Sequence, residues 1–303
     1  MKMMKKNTLE ILFKEFNKEK VKYCVRSKYK HLPKKLEGGD IDILIEKKNW
    51  QKANKIIRKL GFRFYPFTQP NLFYFYYDKE LGLILLDILL TKTLVPIKKF
   101  KKFFIPLDEK PIPNKKGLLK RIYTGLIRRF YYMFRGRVIV FEGVDGSGKS
   151  TNVQALYDSL EILPIKKQIV HFATHFKKRK PSSLKRLFTR SYCILKVYKN
   201  IILGRIVITD RYIYLTFRKH HKILKSILRS FAPTPDIVFV TKAPIKTIKK
   251  RKKGQRDLLD EKMIRELNNI YENIPNSIII DTQKPIKENL GITVNKLLEK
   301  ILR

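Results

Sequence analysis

Acidic residues are scarce in this 303-residue chain: 26 Asp and Glu stand against 68 Lys and Arg, a formal net charge of +42. A surface so short of carboxylates attracts polyanions, whether nucleic acid, nucleotides or anionic lipid heads. A compositional cause competes with that reading. Lys, Ile, Tyr and Asn are abundant and Gln is scarce, as under genomic and thermal bias acting on solvated faces. Cysteine is nearly missing. Cys24 and Cys193 lie far apart, with no CxxC pair and no histidine at metal-ligand spacing, which predicts buried, reduced thiols. Long apolar runs are missing too. The best, residues 81–90, is interrupted by Asp87 and falls short of the ~18–20 residues that a membrane span needs. Residues 1–10 are charged and lack the apolar core of a signal peptide, so the expectation is a soluble, cytoplasmic protein without a transmembrane segment.

Apolar material is nonetheless plentiful: 44% of residues are hydrophobic and 31% charged, enough for real cores and too apolar for disorder. The length favours two domains. Residues 1–105 read as a small α+β unit, with helical periodicity at 9–19 and 50–60 and strand patterns at 21–25, 41–46, 62–66, 72–77 and 83–90. Pro106, Pro111 and Pro113 among lysines mark a boundary, and residues 106–135 read as a basic linker and helix. The alternation of basic and apolar residues over 118–134 suits a connector helix between domains, and also a helix lying on a membrane surface. Residues 136–303 change texture. Short apolar runs at 138–141, 169–172, 206–209, 237–240 and 277–280 are separated by helix-length segments, which predicts an α/β domain with a parallel sheet covered on both faces.

The strongest signal is Gly143-Val144-Asp145-Gly146-Ser147-Gly148-Lys149-Ser150, followed by Thr151. It matches GxxxxGK[ST], is preceded by an apolar strand pattern, and opens a helical stretch near Lys149. Glycines let the backbone curl so that successive N–H groups point at phosphate oxygens, and the helix N-terminus adds positive dipole. Lys149 is expected to bridge the β- and γ-phosphates of ATP, and the Ser150 hydroxyl to ligate Mg²⁺. The motif alone leaves the phosphate acceptor open.

With Phe141 and Glu142 in front of it, this loop resembles that of the thymidylate kinase family, FEGxDGxGKST. Further likenesses follow in order: Ile206-Val207-Ile208-Thr209-Asp210-Arg211-Tyr212 resembles the family's Asp-Arg-Tyr strand, and Pro235-Asp236-Ile237-Val238-Phe239-Val240 its next strand. Arg251 and Arg256 fall where the family carries a basic lid, and Ile278-Ile279-Ile280-Asp281 where its last strand ends. The likeness covers roughly residues 138–303. It implies that Arg211 grips the acceptor phosphate, that Asp210 lies near the Mg²⁺ and its waters, and that Asp145 touches the acceptor sugar or the metal. A turn-stabilising role for Asp145 is the alternative. Arg251 and Arg256 would close over the triphosphate and exclude water. The chain differs from the family pattern at Thr241-Lys242-Ala243-Pro244, where an Asp usually precedes the proline, and over residues 213–218, where a small polar run is usual. Between Phe172 and Arg190, where the family reads the base, His175, Lys177, Arg179 and Arg190 do not align. Thymidine specificity therefore does not follow from the likeness.

In the first domain, Gly38-Gly39-Asp40-Ile41-Asp42 places two carboxylates two residues apart, on one face of a strand. Asp87 is a lone charge in another strand pattern. Three such carboxylates can hold divalent metals around a triphosphate. This resembles the nucleotidyltransferase fold of the DNA polymerase β type, with Arg26-Ser27 standing where that family has a Gly-Ser turn. The alternative is an ordinary strand behind a Gly-Gly-Asp turn.

The sequence thus predicts a nucleotidyltransferase-like unit (1–105), a basic linker and helix (106–135) and a thymidylate-kinase-like P-loop domain (136–303). The expected activity is ATP- and Mg²⁺-dependent phosphoryl transfer to a nucleoside monophosphate or similar phosphorylated small molecule. A sugar or lipid-linked phosphate is the alternative acceptor, and an ATP-switched nucleic-acid-binding module is the less favoured alternative function. A homodimer is one candidate assembly.

Overall fold

A computed structural model describes residues 7–26, 31–33, 35–36, 40–65, 71–92, 135–163, 165–172, 183–212, 230–252 and 260–301, with backbone alone at 183–187 and 301. The linker and basic helix expected at 106–135 fall outside these residues except for Arg135. Contacts divide the chain into two compact units, residues 1–121 with 297–303, and residues 122–296.

The first unit begins with α1 (Thr8–Lys18), capped by the Asn7 side chain, which accepts from the Glu10 N–H at 2.9 Å. Leu9, Leu12, Phe13 and Phe16 recur at helical spacing and are fully buried. Then come β1 (Tyr23–Val25), β2 (Asp40–Glu46), α2 (Trp50–Lys59), β3 (Arg63–Tyr65), β4 (Leu72–Asp78) and β5 (Gly82–Thr91). The sheet order is β1-β2-β5-β4-β3, with β2 and β5 parallel and the other pairs antiparallel. Alternation along β2 and β5 sends Ile41, Ile43, Ile45, Ile84, Leu86 and Ile88 into a core shared with α1 and α2. The intervening residues Asp40, Asp42 and Asp87 therefore lie on the opposite face, whose small apolar cluster is Cys24, Leu44 and Leu89.

The second unit is built from β6 (Arg137–Glu142), α3 (Lys149–Ser159), β7 (Lys167–His171), α4 (Ser183–Ile202), β8 (Ile206–Asp210), β9 (Ile237–Lys242), α5 (Ile245–Arg251), α6 (Glu261–Glu272), β10 (Ser277–Asp281) and the part of α7 (Ile286–Ile301) up to Lys296. The five strands form an all-parallel sheet in the order β10-β9-β6-β8-β7. β6, β8 and β9 are buried along nearly their whole length, as sheets covered on both faces require, and this explains their continuous Val/Ile runs. The chain leaves β6 toward β7 on one side and reaches β9 and β10 on the other, so the order reverses at β6. Ligands of open α/β sheets bind outside the carboxyl ends of strands at such a point. Both cysteines are free and buried, as the sequence predicts. No helix among the described residues is long and apolar enough to cross a membrane.

Candidate active site

The loop between β6 and α3 has the backbone its glycines allow. Gly146 and Gly148 sit at φ +88° and +93°, left-handed values that disfavour a side chain. At Gly143 (φ +142°) a Cβ would meet the Thr241 carbonyl and hydroxyl oxygens at 2.5 Å, so loop and β9 are in direct contact there. The Ser147 hydroxyl, fully buried, shares a 2.7 Å hydrogen bond with that of Thr241. Val144 is buried in the domain core. Both residues belong to the expected phosphate loop, yet their side chains turn inward and brace it from beneath. Ser150 and Thr151, at the start of α3, are exposed.

Lys149 is 5% exposed, and its ammonium donates to the carbonyls of Gly143 at 2.8 Å and Val144 at 2.9 Å. Burial lowers its pKa, as does the neighbouring Arg211 cation, against the pull of Asp145, Asp210 and Glu142. Asp145 is an ion-pair hub. Its Oδ1 accepts from the Arg211 guanidinium and lies 3.6 Å from Lys149 Nζ, while Oδ2 lies 3.5 Å from Lys252 Nζ. Burial would raise the Asp145 pKa, but Arg211, Lys149 and Lys252 together hold it down at about 2. Asp145 thus faces three cations of the cleft.

Asp210 ends β8, and its Oδ2 accepts from the Ser150 hydroxyl at 2.7 Å and lies 3.5 Å from His171 Nδ1. Arg211 follows at φ +69°. Arg251, at the end of α5, donates to the Gly146 carbonyl at 3.2 Å and to Thr282 after β10 at 3.3 Å. Arg256 lies outside the described residues. A cleft of about 520 Å³ opens onto Asp145, Lys149, Ser150, Asp210, Arg211 and Arg251, with Thr282, Lys284 and Asn289 closing the other side.

Lys252, His171, Thr282, Lys284 and Asn289 are functional candidates that motif reading passes over. Lys252 sits in a run of lysines and arginines, so nothing local separates it from a solvated cation. The residues after β10 reach the cleft only through sheet order. Buried Glu142, whose Oε1 accepts from the Tyr212 N–H at 2.7 Å, shows as part of the loop's family likeness but not as a bonding partner of the Asp-Arg-Tyr turn.

In the first unit Asp42 and Asp87 are register partners on neighbouring parallel strands, with Asp40 one step along the same face. Their proximity is felt at Asp87: burial pushes its pKa up to about 6, opposed by a hydrogen bond from Asn71 and reinforced by the charges of Asp42 and Asp40. No three His, Cys, Asp or Glu among the described residues are arranged to hold a metal ion. The topology nonetheless places the expected metal-ligand candidates Asp40, Asp42 and Asp87 on one face, where Asp87 Oδ1 accepts from the Asn71 amide at 2.7 Å.

A five-stranded parallel sheet, a glycine-rich loop opening a helix, a buried loop lysine and an arginine after the neighbouring strand define a P-loop phosphotransferase. Residues 141–290 match the family model for thymidylate kinase. The chain is 29% identical over 185 residues to a probable thymidylate kinase of Methanocaldococcus jannaschii, covering 54% of this chain and 96% of that protein. It is 27% identical over 166 residues to a thymidylate kinase of Desulfotalea psychrophila, covering 46% of this chain and 82% of that one. The C-terminal region is a thymidylate kinase family domain, and the enzyme class is that of the ATP-dependent phosphotransferases.

Proposed function

We propose that the second unit transfers the γ-phosphoryl group of ATP to the phosphate of a nucleoside monophosphate, with thymidylate the first acceptor to test. The observation that carries this reading is the placement of Arg211. Its guanidinium meets Asp145, at the rim of the donor loop, within a single cleft that also holds Lys149. Donor and acceptor phosphates bound on these two cations are brought within reach of each other, which is most of what phosphoryl transfer asks of a protein.

On ATP binding, Lys149 exchanges its two loop carbonyls for the β- and γ-phosphate oxygens. The loop N–H groups and the α3 N-terminus take the remaining negative charge. Ser150 and Asp210 offer oxygen donors only, 2.7 Å apart at the edge of the cleft, a set that suits Mg²⁺. Bound there, the metal would neutralise charge on the transferring phosphates. Arg211 orients the acceptor phosphate, Asp145 holds Arg211 in place until the acceptor arrives, and Arg251 covers the donor loop and keeps water out.

An ADP-release screen of the full chain, with dTMP, other nucleoside monophosphates, phosphosugars and no acceptor, tests the proposal. Acceptor-dependent turnover with a nucleoside monophosphate is expected. Turnover with phosphosugars alone would move the activity to the alternative acceptor class, and acceptor-independent ATP hydrolysis would defeat the kinase reading. For the first unit we propose a nucleotidyltransferase-like sheet. Its support is the parallel β2–β5 pair with Asp42 opposite Asp87.

A further inference from the structure

Arg211 holds a left-handed backbone, unusual for a residue with a long side chain, and such strain persists only where the surroundings over-determine it. Both N–H groups of this turn are taken by β6. The Arg211 N–H donates to the Phe141 carbonyl at 2.9 Å, and the Tyr212 N–H donates to Glu142 Oε1 at 2.7 Å. The Tyr212 ring packs edge-on against Phe172, and its hydroxyl donates to the Pro233 carbonyl. Residue 212 is thus fixed at its amide and at its ring, leaving Arg211 little freedom between.

Glu142 is 1% exposed and occupies the last position of β6, directly before Gly143 of the phosphate loop. A carboxylate buried this deeply is costly unless something holds it. The charged and titratable groups around it are Lys149 on α3, Asp210 and Arg211 at the end of β8, and Tyr271 on α6. Its location ties two parts of the site together: the donor loop begins one residue after it, and the acceptor arginine stands one residue before its bonding partner.

We propose that Glu142 is a positioning residue, whose side chain, by holding the Tyr212 amide, keeps Arg211 in its left-handed conformation and so delivers the guanidinium to Asp145 and the acceptor phosphate. This rests on the acceptor role proposed for Arg211. A merely electrostatic part, in which the carboxylate balances Lys149 and Arg211, is the rival account.

Two substitutions in the full chain separate them. Glu142→Gln keeps an acceptor oxygen at the same reach and removes the charge; Glu142→Asp keeps the charge and falls one methylene short of the Tyr212 amide. Positioning predicts that Glu142→Gln retains near wild-type kcat and KM for dTMP. Glu142→Asp should lose acceptor kcat/KM on the order of 10²-fold, the scale of a small misplacement of a reacting group, while ATP affinity measured by calorimetry holds. In an Arg211→Lys background Glu142→Asp should cost little more, because the residue acts through Arg211. Amide hydrogen exchange provides an arm that needs no turnover: the Tyr212 amide should stay protected in Glu142→Gln and exchange faster in Glu142→Asp. The reverse ranking of the two variants, additive losses with Arg211→Lys, or equal Tyr212 exchange in both would each overturn the inference. If the wild type does not use dTMP, the kinase proposal fails on that acceptor, and the exchange arm still decides the role of Glu142.

Discussion

Arg211→Lys is the perturbation that asks most of the site. The guanidinium occupies a left-handed turn whose two N–H groups are bound by β6, so the backbone should survive the change. Asp145 keeps Lys149 at 3.6 Å and Lys252 at 3.5 Å, so the donor loop keeps most of its charge balance. What disappears is the planar fork, which an ammonium cannot reproduce. Removing one preorganised hydrogen-bond donor to a transition state costs roughly 10²–10³ in rate, or ~2.7–4 kcal/mol. The expectation is a fall of that size in kcat/KM for the acceptor, with ATP affinity changed by less than about threefold, under ~0.7 kcal/mol. An ADP-release assay at saturating ATP with titrated dTMP gives the first quantity, and calorimetric titration of ATP gives the second. With Arg211, Lys149 and Lys252 around it, the wild-type Asp145 carboxyl is held at about pKa 2 and stays ionised across the assay range. A drop in ATP affinity with unchanged acceptor kinetics would refute the division of the cleft into donor and acceptor halves.

Lys149→Met should cut phosphoryl transfer by 10²-fold or more, with a melting shift worth no more than ~1 kcal/mol. Two hydrogen bonds are lost, but so is a buried cation beside another, and scanning calorimetry beside the kinetic assay reads both effects. Asp87→Asn should stabilise the protein at pH 7 more than at pH 4. The Asp87 pKa is raised to about 6, so the folded state binds the extra proton between roughly pH 4 and 6, and wild-type stability falls as pH rises through that window. Discounted for partial exposure, the gain at pH 7 is ~1–2 kcal/mol by denaturant melts, and a loss there would refute the assignment. Asp40→Asn with Asp42→Asn should leave metal-free stability equal or higher, as repulsion with Asp87 is relieved, and Mn²⁺ titration of the wild type should show no binding at this face. A double variant less stable by about 1 kcal/mol would mean that these carboxylates serve local hydrogen bonds instead.

Much of the second unit is legible in its sequence. Its strands announce themselves as Val/Ile runs because a parallel sheet is buried on both faces, and each run lies within a few residues of the strand observed. The phosphate loop was legible because its conformation is dictated locally, by glycines at positive φ followed at once by a helix start. The same holds for α1, whose four buried apolar residues follow helical spacing. In the first unit, the i, i+2 spacing placed Asp40 and Asp42 on one face, and the structure sets Asp87 on that face beside them.

Side-chain direction and long-range partnership were decided only by the tertiary structure. Ser147 and Val144 sit inside the motif yet turn into the protein, because Thr241 and the core lie beneath the loop. Lys252 became distinct from its basic neighbours only when α5 brought it to Asp145. Glu142 meets the Tyr212 amide across 70 residues of chain, and Ser147 meets Thr241 across 94. Asp87 accepts from Asn71, just before β4, across 16 residues of chain. The sequence by itself determined what depends on neighbouring residues: turn conformations, helix faces, strand burial and the chemistry of the phosphate loop. The fold decided what depends on sheet order and distance in space, namely which charges face each other in the cleft and which carboxylate meets the Tyr212 amide. Local dihedral and burial preferences act within a few residues, whereas those contacts exist only after distant strands have paired.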